Sequence, residues 1–130
     1  MDDLDRQKRR HYIAGILATS VLLIRVILQN LDGIGLAHHT GPDTRDRIAD
    51  DFMMVYANIL PALDASPEVV ALLRSTLLDW VTLDSLVKLE TISEIHDSRS
   101  DAMEELAERI GMSITIAREN WPELFEFEIE

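Results

Sequence analysis

The chain has no cysteine. That excludes disulfide staples, thiol catalysis and thiolate-ligated zinc or iron–sulfur sites. It also suits a reducing compartment, so a cytoplasmic location is expected. Aromatic residues make up only 5% of the sequence, so Leu, Ile, Val and Met must build the core. No glycine-rich phosphate loop follows a strand pattern, and neither H-E-x-x-H nor a Ser–His–Asp order is present. His38 and His39 sit in a loop near Asp43, without the H-x-x-x-H or E-x-x-H spacing that sets metal ligands on one helix face. They read as an exposed polar loop, and so does His96 between Glu94 and Asp97. No metal, no cofactor and no enzymatic activity are expected.

Positive charge is also scarce. Twelve Lys and Arg stand against 24 Asp and Glu, a net charge of −12. Residues 1–42 carry five basic and four acidic side chains, so the deficit lies entirely downstream. Such a field repels nucleic-acid phosphates and favours a basic protein partner.

What is present is helical periodicity. The 130 residues, 47% hydrophobic and 28% charged, suit one domain that buries roughly two-thirds of its unfolded surface. The longest periodic stretch is Ser66–Ile95. Its apolar positions Val69, Leu72, Leu73, Thr76, Leu77, Trp80, Leu83, Val87 and Ile92 follow i, i+3, i+4, i+7 spacing. Ser66-Pro67-Glu68 is a start signal with a hydroxyl N-cap, proline at the first position and an acid in the first turn. Asp84 with polar neighbours predicts a break at Thr82–Ser85 and hence two shorter helices.

Upstream, residues 1–10 are almost wholly charged and read as an exposed N-terminal arm, followed by the nearly all-apolar run Tyr12–Leu31. A basic cluster before an apolar run is the pattern of a leader or a membrane anchor. The uninterrupted part, Ile13–Ile24, is about half of the roughly 20 residues a span needs. Arg25 then falls where a lipid-exposed charge is costly. The run therefore reads as a buried helix with a thin polar seam of Gly15, Ala18, Arg25 and Gln29, and no membrane association is expected. A helix apolar on most sides belongs at the centre of the fold or at a homodimer interface.

Asp32–Asp43 is the long irregular stretch, with Gly33 or Gly35 closing the preceding helix, Pro42 barring continuation and Asp43 placed to cap the next one. From Thr44, Ile48, Phe52, Val55, Tyr56, Ile59, Leu60 and Leu63 form one stripe, with Pro61 near its end. Asp101 with Glu104 resembles a capping box for a short helix to Ile110. Gly111 then ends that helix, and Ser113 starts a last one to Asn120. The tail 122–130 changes period. Phe125, Phe127 and Ile129 alternate with Glu126, Glu128 and Glu130, which is strand spacing. The expected fold is thus all-α, a compact bundle of five or six helices with an extended acidic C-terminal segment.

Three functional readings follow. Residues 97–130 hold three arginines against ten acids, a balance of −7. That makes Glu104, Glu105, Glu108, Glu123, Phe125, Glu126, Phe127, Glu128 and Ile129 the candidate surface for a basic protein partner. An inhibitor, immunity, antitoxin or chaperone-like role fits such a surface. Residues 101–120 also resemble a helix-turn-helix, with Leu106, Ala107, Ile110, Gly111 and Met112 in the first helix and turn and Ala117 and Asn120 at the inward positions of the second. The resemblance implies a DNA-binding regulator in which Arg118 reads the groove, although Glu104, Glu105, Glu108 and Glu119 oppose a basic footprint. Finally, Arg6-Gln-Lys-Arg-Arg-His11 is similar in its Arg-x4-His spacing to HEPN-type ribonuclease domains, which implies RNA cleavage by Arg6 and His11 of paired protomers.

Overall fold

A computed structural model describes residues 3–32, 36, 39–90 and 97–126. The protein is all-α, and among the described residues there is no strand. Four α-helices are found among the described residues, fewer than the five or six expected: α1 (Asp3–Asp32), α2 (Thr44–Met54), α3 (Pro67–Glu90) and α4 (Asp97–Asn120). Short irregular turns complete them, a π turn at Val55–Ile59 and 3-10 turns at Leu60–Ala62 and Pro122–Phe125.

The helix faces are those the spacing dictates. In α3, Val69, Leu73, Thr76, Leu77, Trp80 and Leu83 are buried. In α2 and the turns after it, Ile48, Phe52, Val55 and Leu60 are buried. Pro61 has no N–H to offer the preceding turn, and the winding there shifts from α to π and then to 3-10 before the chain extends at Leu63. Ser66 starts α3 as its pattern requires, its Oγ accepting the Val69 N–H at 3.2 Å. Asp43 occupies the position before α2 without a side-chain cap. That turn is closed instead by Gly41, at φ +101°, whose carbonyl accepts the Thr44 hydroxyl at 2.6 Å. Gly33, Gly35 and His38 lie outside the described residues.

Two expected breaks are absent, and each has a physical cause. α3 runs straight through Thr82–Ser85. The Thr82 and Ser85 hydroxyls bond back to the Leu78 and Val81 carbonyls, at 2.8 and 2.9 Å, instead of competing for a cap. Asp84, only 1% exposed, reaches cations on α2 and α3, so a tertiary ion pair overrides its capping preference. α4 likewise passes through Gly111, because Ile110, Ile114 and Ala117 keep one buried face on both sides of it. Asp101 and Glu104 are accordingly inside α4, and the capping box they resemble is not formed.

Gly111 is a helix-interior glycine, and a Cβ there would meet Ile16 Cδ1 at 3.8 Å, an ordinary contact. Gly111→Ala is therefore expected to stabilise the fold by about 0.5–1 kcal/mol, read as a higher urea midpoint. A lower midpoint would mean that the α1–α4 approach is tighter than this geometry.

α1 and α4 run parallel. Arg9 meets Asp101 and Glu104 at one end, Gly111 faces Ile16 in the middle, and Asn30 reaches the Leu124 carbonyl at the other. α3 runs antiparallel to α4, to which it is joined by a short connection and by Asp79–Arg109. Residues 3–10, expected as an exposed arm, are the first turns of α1, whose Arg9 is held by the two α4 acids. Ile13, Leu17, Val21, Ile24, Ile27 and Leu28 of α1 are buried within this chain, while Leu4, Tyr12 and Leu22 stay exposed. Among the described residues, Leu4–Leu31 is the one helical stretch long and apolar enough to cross a membrane, a property that core helices share.

Candidate functional site

The acidic C-terminal candidates divide into three groups. Glu104 is engaged, its carboxylate 2.7 Å from Arg9 Nε. Glu105, Glu108, Glu123 and Glu126 are exposed. Phe127, Glu128 and Ile129 lie outside the described residues. The expected extended segment is not extended at its start, because Pro122–Phe125 forms a 3-10 turn that buries Leu124. Phe125 is half-buried against the core, with the Arg118 guanidinium 5.2 Å above its ring. Asn30, which the sequence pattern did not single out, donates from Nδ2 to the carbonyls of Leu124 and Glu126 at 2.8 and 2.9 Å and ties this turn to the end of α1.

On α4, Glu105, Glu108, Met112, Ile116 and Glu119 recur at spacings of three and four, which places them on one outward ridge. Met112 is 64% exposed and Ile116 40%, so acids flank a short apolar centre. Of the α4 cations, Arg109 borders that ridge, four residues after Glu105 and three before Met112, whereas Arg118 lies off it. Arg109 bonds Asp79 of α3 at 3.1 Å, and Arg118 covers Phe125. Burial pushes the Asp79 carboxyl above its ordinary range, and the Arg109 charge offsets this only in part. Its negative charge therefore weighs against folding at neutral pH, and the penalty fades as pH falls through the raised pKa toward the ordinary carboxylate range.

The geometry of the DNA-binding reading is absent. α4 is one helix, so there is no turn at Gly111 and no separate recognition helix, and Asn120 is exposed, bonding back to the Ile116 carbonyl at 2.9 Å. Arg6 and His11 are both exposed on α1, where five residues at about 100° each set them roughly 140° apart around the axis. His39 is half-buried and paired with Asp51 of α2 at 2.6 Å rather than free in a loop. Among the described residues no three His, Asp or Glu side chains form a metal-ligating group.

A second site has no motif in the sequence. α1, α2 and α3 enclose a half-open cleft of about 570 Å³. Trp80 forms its floor, its indole N–H donating to the Leu17 carbonyl at 3.0 Å and its ring meeting Phe52 edge-on, centroids 5.0 Å apart. Ile13, Leu17, Val21 and Ile48 supply apolar walls, while Ala14 and Ala18 are too short to fill the space between them. The polar lining residues are Arg10, Thr44 and Arg45. Arg45 is fixed by the buried Asp84, whose Oδ1 lies 2.8 Å from Nε and 2.5 Å from Nη2, and Lys88 meets Oδ2 of the same carboxylate at 2.7 Å. Burial alone would lower the Lys88 ammonium, but its hydrogen bonds and charge interactions with Asp46 and Asp84 outweigh that and hold it above its ordinary value. Asp46 is held below the usual carboxylate range by its hydrogen bond to Lys88 and by the lysine charge.

Fold and surface thus define a small acidic all-α protein with an acid-flanked ridge and an apolar cleft. No family model, no curated protein and no solved structure matches the chain.

Proposed function

We propose that this protein is a non-enzymatic binding protein whose α4 ridge engages a basic protein partner, in the manner of an inhibitor, immunity protein, antitoxin or chaperone. The observation that carries the reading is the arrangement of Glu105, Glu108 and Glu119 around exposed Met112 and Ile116, with Arg109 and Arg118 turned to neighbours within the chain. Glutamates at the rim steer a cationic surface, and the apolar centre supplies what it buries on docking. Glu123 and Glu126 extend the same field past the end of α4. A second copy covering Leu4, Tyr12 and Leu22 of α1 belongs to this reading, and a monomer in sedimentation at all concentrations would remove that part.

The test compares the wild-type chain with Glu105→Gln/Glu108→Gln/Glu119→Gln/Met112→Ala in affinity capture from the source organism. A control neutralises an exposed acid elsewhere, Asp50→Asn on α2. The expected result is a high-pI protein recovered by wild type and control and lost by the ridge variant, with capture weakening as salt rises. Recovery of the same proteins by all three would refute the ridge.

A further inference from the structure

We propose that the cleft between α1, α2 and α3 is a binding site for one amphipathic anion of the fatty-carboxylate class, its headgroup at Arg10 and Arg45 and its alkyl chain over Trp80.

The cleft has a polar end and an apolar end. α1 runs antiparallel to α3, since both are aligned with α4 in opposite senses, and Leu17 is bonded to Trp80. Position 10, seven residues before Leu17, therefore lies beside position 87, seven residues after Trp80, and both Arg10 and Val87 line the space. Arg45 is bonded to Asp84, between Trp80 and Val87 on α3, so its guanidinium stands at that same end. Leu17, Val21 and Ile48 lie toward the other. From residue 10 to residue 21 the α1 wall spans about 16 Å, the reach of an extended alkyl chain of medium length.

Charge decides the headgroup. In a chain with twice as many acids as bases, the lining contains, among the described residues, two arginines and a threonine hydroxyl but no acid, the Asp84 that pairs with Arg45 standing behind it. A guanidinium carries five N–H donors, and Arg45 directs only its Nε and one Nη at a single oxygen of Asp84, so further donors of its fork remain for a headgroup. Asp84 is thus a positioning residue that holds the Arg45 fork at the mouth. A volume of about 570 Å³ falls within the range of small-molecule sites that are mostly apolar with a few placed polar groups. This inference does not depend on the α4 ridge, which faces elsewhere.

The probe is dodecanoate, kept below its micelle-forming concentration and titrated into the full chain carrying Trp121→Phe. Trp80 is then the sole indole and reports from the cleft floor. The expected result is a saturable change in Trp80 emission at one ligand per chain. Arg10→Gln is expected to weaken binding about tenfold, as loss of one charge-assisted contact implies. Ala18→Phe, which puts a ring into the cleft from the α1 wall, is expected to weaken it at least tenfold with unchanged helicity by circular dichroism. Dodecanol should bind at least tenfold more weakly than dodecanoate. The proposal is overturned if dodecanoate does not saturate, if dodecanol or dodecyltrimethylammonium binds as well, or if Ala18→Phe leaves binding unchanged. It is equally overturned if the cleft proves to be covered by a second copy, seen as a dimer that Ala18→Phe dissociates and that excludes dodecanoate.

Discussion

Trp80→Ala is expected to destabilise the protein by about 3–5 kcal/mol, a large part of the roughly 5–15 kcal/mol that holds a domain of this kind together. Trp80 is 1% exposed and joins three helices at once. Its ring packs edge-on against Phe52 just beyond α2's Ile48, its N–H bonds the Leu17 carbonyl of α1, and its backbone belongs to α3. Urea unfolding followed by circular dichroism measures the effect as a lowered midpoint at unchanged slope. Trp80→Phe retains the edge contact but loses the N–H donor, so it should cost about 1–2 kcal/mol. Half-buried Trp121 serves as the control, since Trp121→Phe should change little. A loss below 1 kcal/mol for Trp80→Ala would show that the three helices are not joined through this ring.

The second large effect comes from stranding a charge. Asp84 lies almost without solvent exposure between Arg45 and Lys88. Arg45→Met/Lys88→Met leaves that carboxylate buried and uncompensated, a loss of about 3–5 kcal/mol. Adding Asp84→Leu should restore most of it, since replacing a whole buried ionic cluster by apolar side chains is often neutral or better. A triple variant no more stable than the double one would show that the loss came from the aliphatic stems of Arg45 and Lys88 instead.

These two sites also show what a linear pattern conveys. The stripes of α2 and α3 were legible because each apolar residue repeats at the period of the helix that buries it, and the buried apolar residues are ones that period selects. Asp84 was misleading because capping preference is a local property, whereas its partner Arg45 lies 39 residues away. Gly111 misled for the same reason: the helix on either side of it is held by α1 packing that no window around residue 111 contains. The tail's alternation of Phe and Glu is real, but Pro122 and the Asn30 amide turn its first residues into a 3-10 coil. The ridge could be read in part, since its acids were prominent, while Met112 was read as part of a helix-turn-helix and Ile116 was not singled out. The cleft was not legible at all. It arises from what Ala14 and Ala18 leave unfilled between three separate helices, and missing volume has no letter in a sequence.

The parallel pairing of α1 with α4 has a consequence for how the molecule is made. Its ties, Arg9 to Asp101 and Asn30 to Leu124, join residues 92 and 94 positions apart. At roughly 5–20 residues per second, the ribosome releases α1 between about 5 and 20 s before the helix it lies along exists. The most apolar segment of the chain must therefore wait in water, while α2, α3 and α4 can associate with their neighbours in the order they emerge. The contact between α1 and α4 can therefore close only after the last helix has been made, although α1 is made first.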